Sequence, residues 1–558
     1  MTLTAKIVKA SIFCLVWAVA PLIARVSAPA SIEKWGTYEI ELTGPSDGNP
    51  FADVTLSAEF TDGTRTINVP GFYDGDGVYR IRFMPEETGN WSYFTHSNRW
   101  PLTERRGTFT VTAPTTKGNH GPVRVANTYH FAYADGTPFR QIGTTCYTWT
   151  HRPDAVEEQT LKTLAASPFN KIRMCVFPQT HGIKTMPPPR FPFAGEPTKP
   201  DYTRFNPDFF QHLEKRIGQL RELGIESDLI LFHPYDDDHI WGLDNMPAAV
   251  EDFYVRYLVA RLAAYRNIWW SMANEYDYVR TKTEADWDRN FQVVQASDPF
   301  NHLRSIHNGK MIYDHNKPWV THVSMQNGSA VEEVGRALLY RDVYRKPIVY
   351  DEVVYEGNHR LRWAQIDGHE MVHRFWVGTV AGTYVGHGEY LIDTNDPARA
   401  AEYGAKDPKG NNAFVWVGQG GALKGESPAR LAFLRKILED SPVTGIDPID
   451  KWWTVGMGGK PGEYYLVYFG HEKPTSWTFE LYRDGIADGN QFKIEVIDTW
   501  DMTITPLDGV FAAKKKDGYT FIEENGRAVA LPGKPGIALR IRRVAGVVGE
   551  ISDKPPGN

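Results

Sequence analysis

Three patterns of hydrophobic and polar positions follow one another along this chain. From Ser31 to about Ala113, short alternating runs such as Tyr38–Leu42, Val54–Phe60, Tyr79–Phe83 and Gly107–Val111 are separated by Gly/Asp turns. Alternation with frequent turns predicts a small β-sandwich over 31–115. Ala113-Pro114-Thr115-Thr116-Lys117-Gly118-Asn119 then reads as a linker.

Beyond the linker the period changes. Apolar strands alternate with amphipathic helical stretches, which is the mark of βαβ units. The expected strands are Gly143–Tyr147, Ile172–Val176, Asp228–Phe232, Ile268–Met272, Leu303–Ile306, Trp319–Val323, Ile348–Asp351 and Gly382–Val385. Helices are expected at Pro207–Leu223, Ala248–Tyr265, Thr283–Ala296 and Pro428–Leu438. Eight such strands over 120–440 predict an α/β architecture, a (β/α)8 TIM barrel. An open dinucleotide-binding sheet would need a Gly-rich phosphate turn after its first strand, and none is present. Alternation returns over 445–546, with Tyr464–Phe469, Phe492–Asp498 and Ile537–Arg542 among its strands, and predicts a second β-sandwich.

The N-terminus changes the picture of location. Lys6 and Lys9, an apolar run from Ile12 to Ile23 and Ala28-Pro29-Ala30 match a signal peptide over 1–30, with cleavage expected after Ala30. The chain is therefore expected to be secreted or periplasmic, with no membrane attachment after cleavage. The remaining Cys146 and Cys175 read as buried free thiols, although export would permit a disulfide. A net charge of −7 with interspersed signs argues against nucleic acid as a partner. Aromatic residues make up 13% of the chain, an excess that fits a carbohydrate partner as well as core packing. Nothing in the pattern sets an oligomeric state.

The candidate chemistry lies at two strand ends. Asn267–Asp277 contains Asn274-Glu275, and Lys346–Glu352 ends in Asp351-Glu352. Parallel barrels carry their chemistry at the C-terminal ends of strands, and glycosidic cleavage needs two opposed carboxylates. Glu275 and Glu352 are the expected catalytic pair, with Asp351, Glu356 and Asp277 as neighbouring alternatives. Trp149, Trp241, His307, Gln326 and His387 follow expected strands and are candidates to line the same mouth. Asp236-Asp237-Asp238 reads as a solvated acidic loop rather than a cation site. Neither a cofactor nor a catalytic metal is implied.

With these motifs the sequence resembles clan A glycoside hydrolases, and within them the apiosidase-like branch. That resemblance implies an N-terminal immunoglobulin-like module, a barrel and a C-terminal β-domain. It implies Glu275 as acid/base, Glu352 as nucleophile, Asn274 on the sugar 2-hydroxyl and Arg173 supporting the nucleophile. Retention of anomeric configuration also rests on it. His233 and His322, carried on the third and sixth strands, are further candidates for substrate contact. Two other readings remain. One is a non-catalytic carbohydrate-binding protein on the same fold. The other is a zinc protease using the H-E-x-x-H match His369-Glu370-Met371-Val372-His373, with Glu389 or His387 as third ligand. Apolar Met371, Val372, Phe375 and Trp376 instead suggest a helix packed outside the barrel.

Overall fold

The computed structural model describes residues 26–179, 188–326, 329–332, 334–359, 362–391, 415–449 and 456–544. Most of the expected signal segment, residues 1–25, lies outside them. Val26–Ser27 pairs with Leu42 and Glu41 of the first sheet.

The central domain is a barrel of eight parallel strands. They are β1 (Gly143–Thr145), β2 (Lys171–Cys175), β3 (Glu226–Phe232), β4 (Ile268–Ala273), β5 (Arg304–Ser305), β6 (Val323–Gln326), β7 (Ile348–Glu352) and β8 (Tyr384–His387). The hydrogen-bonded order runs β5-β4-β3-β2-β1-β8-β7-β6. Between β5 and β6 no ladder forms among the described residues; the backbone amide of Thr321 instead donates to the Arg304 carbonyl at 2.9 Å. Around the barrel lie α1 (Asp154–Ala165), α2 (Pro207–Glu222), α3 (Ala248–Leu262), α4 (Glu284–Ser297), α5 (Val334–Tyr344), α6 (Gly368–Val380) and α7 (Ser427–Glu439). Asn206 caps α2 by accepting from the Asp208 amide, with Pro207 at the first helical position. No helix among the described residues is long and apolar enough to cross a membrane.

Two strands sit later than the apolar runs suggest. The sixth begins at Val323, not Trp319, because Trp319 and Val320 form a loop and the ladder starts where the Val323 amide meets the Pro347 carbonyl. The eighth begins at Tyr384, because Gly382, at φ +73°, closes the turn after α6 with its amide on the Thr379 carbonyl. Gly supplies that left-handed conformation without a Cβ penalty.

The base of the barrel is plugged by a hairpin, Val123–Ala126 with His130–Tyr133. Its Phe131 packs with Trp269, Leu303 and Val349. Before it, an N-terminal sheet of eight strands is braced to the helices by buried ions. Arg82 pairs with Glu214, and Asp74 with Arg261 at 2.7 Å. The C-terminal sheet uses strand alternation to serve two cores. Tyr464, Leu466 and Tyr468 face the barrel core, while Tyr465 and Val467 face the domain's own interior. Cys146 and Cys175 are both buried and free.

Candidate active site

Inward-pointing side chains stack above the plug, as they do in parallel barrels. A buried ionic layer comes first. Lys171 Nζ lies 2.7 Å from both Asp228 Oδ2 and Asp351 Oδ1, and Arg173 Nε is 3.6 Å from each of the same two carboxylates. Burial alone would raise Asp351, but Lys171 and Arg173 hold it well below the usual carboxylate range. Asp351 is thus the counter-ion of the interior and has no free oxygen for the mouth: its Oδ2 also accepts from Ser324 Oγ at 2.5 Å.

One step higher, the strands deliver Glu275 and Glu352. Asp351 and Glu352 are consecutive and would point to opposite faces of a regular strand. An irregularity in the β6–β7 register, where Met325 pairs with Tyr350 but Gln326 with Glu352, turns Glu352 into the mouth. Glu275 follows β4 in the left-handed conformation at φ 45°, an uncommon state for a non-glycine residue that is characteristic of functional turns. Val354 at φ 73° is rarer still for a β-branched residue, and it sets Tyr355 against Glu352.

A continuous set of hydrogen bonds joins the two carboxylates. Tyr235 donates its hydroxyl to Glu275 Oε2 at 2.6 Å. Asn274 Nδ2 donates to the Tyr235 oxygen at 2.6 Å and reaches Glu352 Oε1 at 3.4 Å. Asn274 is itself oriented by Arg173 Nη1, which donates to Oδ1 at 2.8 Å. Glu352 accepts from Tyr147 and Tyr355, and Glu275 from Gln326. His307 lies with Nε2 3.6 Å from Glu352 Oε1. Its other nitrogen is 3.1 Å from Ser324 Oγ. Because that hydroxyl donates to Asp351, it accepts from Nδ1–H, which leaves the Nε2 lone pair facing Glu352.

Burial dominates the electrostatics. It pushes Glu352 up to about 7, against the lowering bond from Tyr355. It also raises Glu275, against the bonds from Tyr235 and Gln326. Arg173, expected to support Glu352, makes no direct contact with it among the described bonds: its guanidinium is held by Asn274, Ser271 Oγ at 3.2 Å and the two interior aspartates. Arg173 acts on the mouth through Asn274.

Asn274, Arg173, His307 and Gln326 therefore gather at the glutamate pair, and four other candidates do not. His322 precedes β6 and lies at the barrel base against Phe131 and Trp269. The late start of the sixth strand puts it at the wrong end. His387 points outward through the wall, stacked on Phe169 and beside Thr144 Oγ1 at 3.2 Å. Trp149 is fully buried on the outer face, its Nε1 on the Met174 sulfur. His233 has both nitrogens engaged by backbone: Nε2 on the Phe177 carbonyl and Nδ1 accepting the Tyr235 amide, each at 3.2 Å. It supports Tyr235 and offers nothing to a ligand.

The alternative carboxylates also have structural tasks. Glu356 accepts from the amides of Glu426 and Ser427 at the start of α7. Glu389 accepts from those of Lys424 and Gly425. Asp277 binds three successive amides, Gly309 to Met311. Asp236 holds a turn by accepting from Trp241 and Leu243, and Trp241 is buried. In the H-E-x-x-H segment, His369 is exposed and stacks on Trp500 while His373 faces Tyr468, so the two imidazoles do not converge.

Sequence reasoning missed Tyr147, Tyr235 and Tyr355. Each lies within three residues of the C-terminal end of an inward-facing strand, and that position was the available signal.

Two carboxylates facing each other over the strand ends of a (β/α)8 barrel define the class of barrel glycoside hydrolases. The catalytic-domain family described as apiosidase-like matches residues 125–440, and the chain belongs to that family. Two domains of unknown function, DUF5060 and DUF5605, match 31–98 and 452–542. A crystal structure from Bacteroides vulgatus ATCC 8482, of a protein proposed to be a glycoside hydrolase, is 40% identical. The match covers 92% of this chain and 100% of that one with a TM-score of 0.86. A family 5 glycoside hydrolase from the same organism is 16% identical, with 76% and 93% covered and a TM-score of 0.53. A further structure named as a glycoside hydrolase is also 16% identical, covering 76% and 97% with a TM-score of 0.52. The last two speak for the fold alone. No curated protein matches the chain.

Proposed function

We propose that the protein is an exported glycoside hydrolase that cleaves O-glycosidic bonds of an oligo- or polysaccharide with retention. The carrying observation is the bonded set Glu352–Asn274–Tyr235–Glu275 spanning the mouth. Glu352, as the carboxylate, attacks the anomeric carbon, while Glu275, as the acid, gives its proton to the leaving oxygen and later takes one from water. Asn274 is placed between them to bond the 2-hydroxyl. The test is hydrolysis of an aryl-glycoside and polysaccharide panel, with the anomer of the first product followed by NMR; initial formation of the inverted anomer contradicts the mechanism. Export is tested by fractionating cells that express the full chain, with enzyme confined to the cytoplasm as the contrary result.

The pH dependence follows from Glu352. Its carboxyl is pushed up to about 7 by burial and must be ionised to attack, so kcat/KM is expected to rise as pH passes through about 7. Tyr355 lowers that value, so Tyr355→Phe is expected to move the acid limb to higher pH. A limb that stays in place in the variant contradicts this assignment.

Trp363 is an aromatic candidate for sugar stacking. It is 42% exposed and stands edge-on to Tyr355 and Tyr390, with ring centroids 5.7 and 5.3 Å away. Its carbonyl accepts the Tyr355 amide at 2.9 Å. Loss of a stacking ring removes about 1 kcal/mol of binding. Trp363→Ala is therefore expected to raise KM roughly 5- to 10-fold with a smaller change in kcat, the pattern of lost uniform binding. An unchanged KM across the panel removes Trp363 from the site.

A further inference from the structure

The junction of α6 with the C-terminal domain carries a side-chain cluster that glycoside hydrolysis does not use. Glu370 and His373 stand three residues apart on α6 and so share a helix face. His471 reaches the same point from the loop after the strand Tyr464–Tyr468. One ligand-competent atom of each residue lies within 4.8 Å of those of the other two. His471 Nε2 is 3.3 Å from Glu370 Oε2, and the two imidazole rings stack with centroids 3.9 Å apart.

Two contacts outside this trio orient it. The Tyr468 hydroxyl oxygen is 3.1 Å from Nδ1 of His373; with Nδ1–H donating to that oxygen, the Nε2 lone pair is left for a ligand. Arg374 Nε donates to Oε1 of Glu370 at 2.8 Å, leaving Oε2 turned toward His471. Partners on the far atom of each ligand are the usual means by which metal-binding imidazoles and carboxylates are held in place.

We propose that Glu370, His373 and His471 bind a divalent transition-metal ion of the zinc class, which fastens the C-terminal domain to the barrel. Two imidazoles and one carboxylate suit such an ion, whereas calcium and magnesium prefer all-oxygen shells. His471 is largely exposed, so the ion has a way in and room for a water ligand. The trio differs from the H-E-x-x-H pattern in two respects. Glu370 is a ligand instead of a water-activating base, and the second imidazole comes from a different domain because His369 is stacked on Trp500. The site lies on an outer helix, and its role is structural.

Tag-free full-length protein, stripped with chelator, is titrated with Zn(II) alone by calorimetry near neutral pH, and its thermal unfolding is followed with and without the ion. Uptake of one equivalent and a raised unfolding temperature are expected. His471→Ala and Glu370→Gln should each weaken uptake on the order of 10- to 100-fold and abolish the thermal gain, while His369→Ala should retain both. Absence of stoichiometric uptake, or uptake unchanged in His471→Ala, overturns the site and leaves a His471–Glu370 ion pair. Zinc uptake by Glu352→Gln separates this result from the fate of the glycosidase reading.

Discussion

Glu352→Gln is expected to lower kcat/KM on the order of 10⁴-fold while making the protein more stable at pH 8. The loss follows from removing the attacking carboxylate, whose deletion abolishes the covalent step. The gain follows from burial. Glu352 is ionised near 4.5 when the chain is unfolded but only at about 7 when folded. The folded state thus holds an extra proton between those values, and stability falls as pH rises through that window. Above it the buried charge costs about 3 kcal/mol, which a neutral amide avoids. Chemical denaturation of both forms at pH 4 and pH 8 should show a gain that is present at the higher pH and absent at the lower. The same activity loss with lowered stability would mean that the substitution acts by unfolding the site. Glu275→Gln serves as the companion. Its loss, about 10²- to 10⁴-fold on substrates with poor leaving groups, should shrink on activated aryl glycosides that need no protonation.

Lys171→Met is expected to cost about 3–5 kcal/mol of stability, the scale of breaking a buried ion pair by removing one partner. Lys171 is 1% exposed and sits between Asp228 and Asp351 in the middle of the barrel. Without its ammonium, Arg173 is left to compensate two interior carboxylates from 3.6 Å. The double variant Lys171→Met/Asp228→Asn restores charge balance and should recover more than half of the loss. A single-variant cost under about 1 kcal/mol would show that the layer does not depend on this pair. Because Asp351 also holds Ser324, and Ser324 holds His307 beside Glu352, the single variant should disturb activity more than its stability loss accounts for.

Much of this arrangement was legible in the chain. The change from two-residue alternation to βαβ spacing and back marks the barrel and its flanking sheets, since these periods reflect which faces are buried. The strands ending at Glu275 and Glu352 could be located because each is a short apolar run closed by polar residues. His322 and His387 were misplaced for a common reason. An apolar run does not say where a ladder begins, and a shift of two to four residues moves a side chain from the mouth to the base or through the wall. The three tyrosines on the glutamates were hidden because they follow strands in loops, whose paths no periodicity describes.

The sequence by itself determined the barrel, its eight strands and the two glutamates at strand ends, because local burial patterns suffice to produce them. Only the tertiary structure separated Glu352 from Asp351. A register irregularity between β6 and β7 turns one carboxylate into the mouth, while Lys171 and Arg173, distant in sequence, draw the other into the interior. Tertiary structure likewise set Arg173 on Asn274 and brought His471 beside α6. Charge neutralisation and side-chain convergence act through space, and the order of residues along a chain does not encode which strands close on one another.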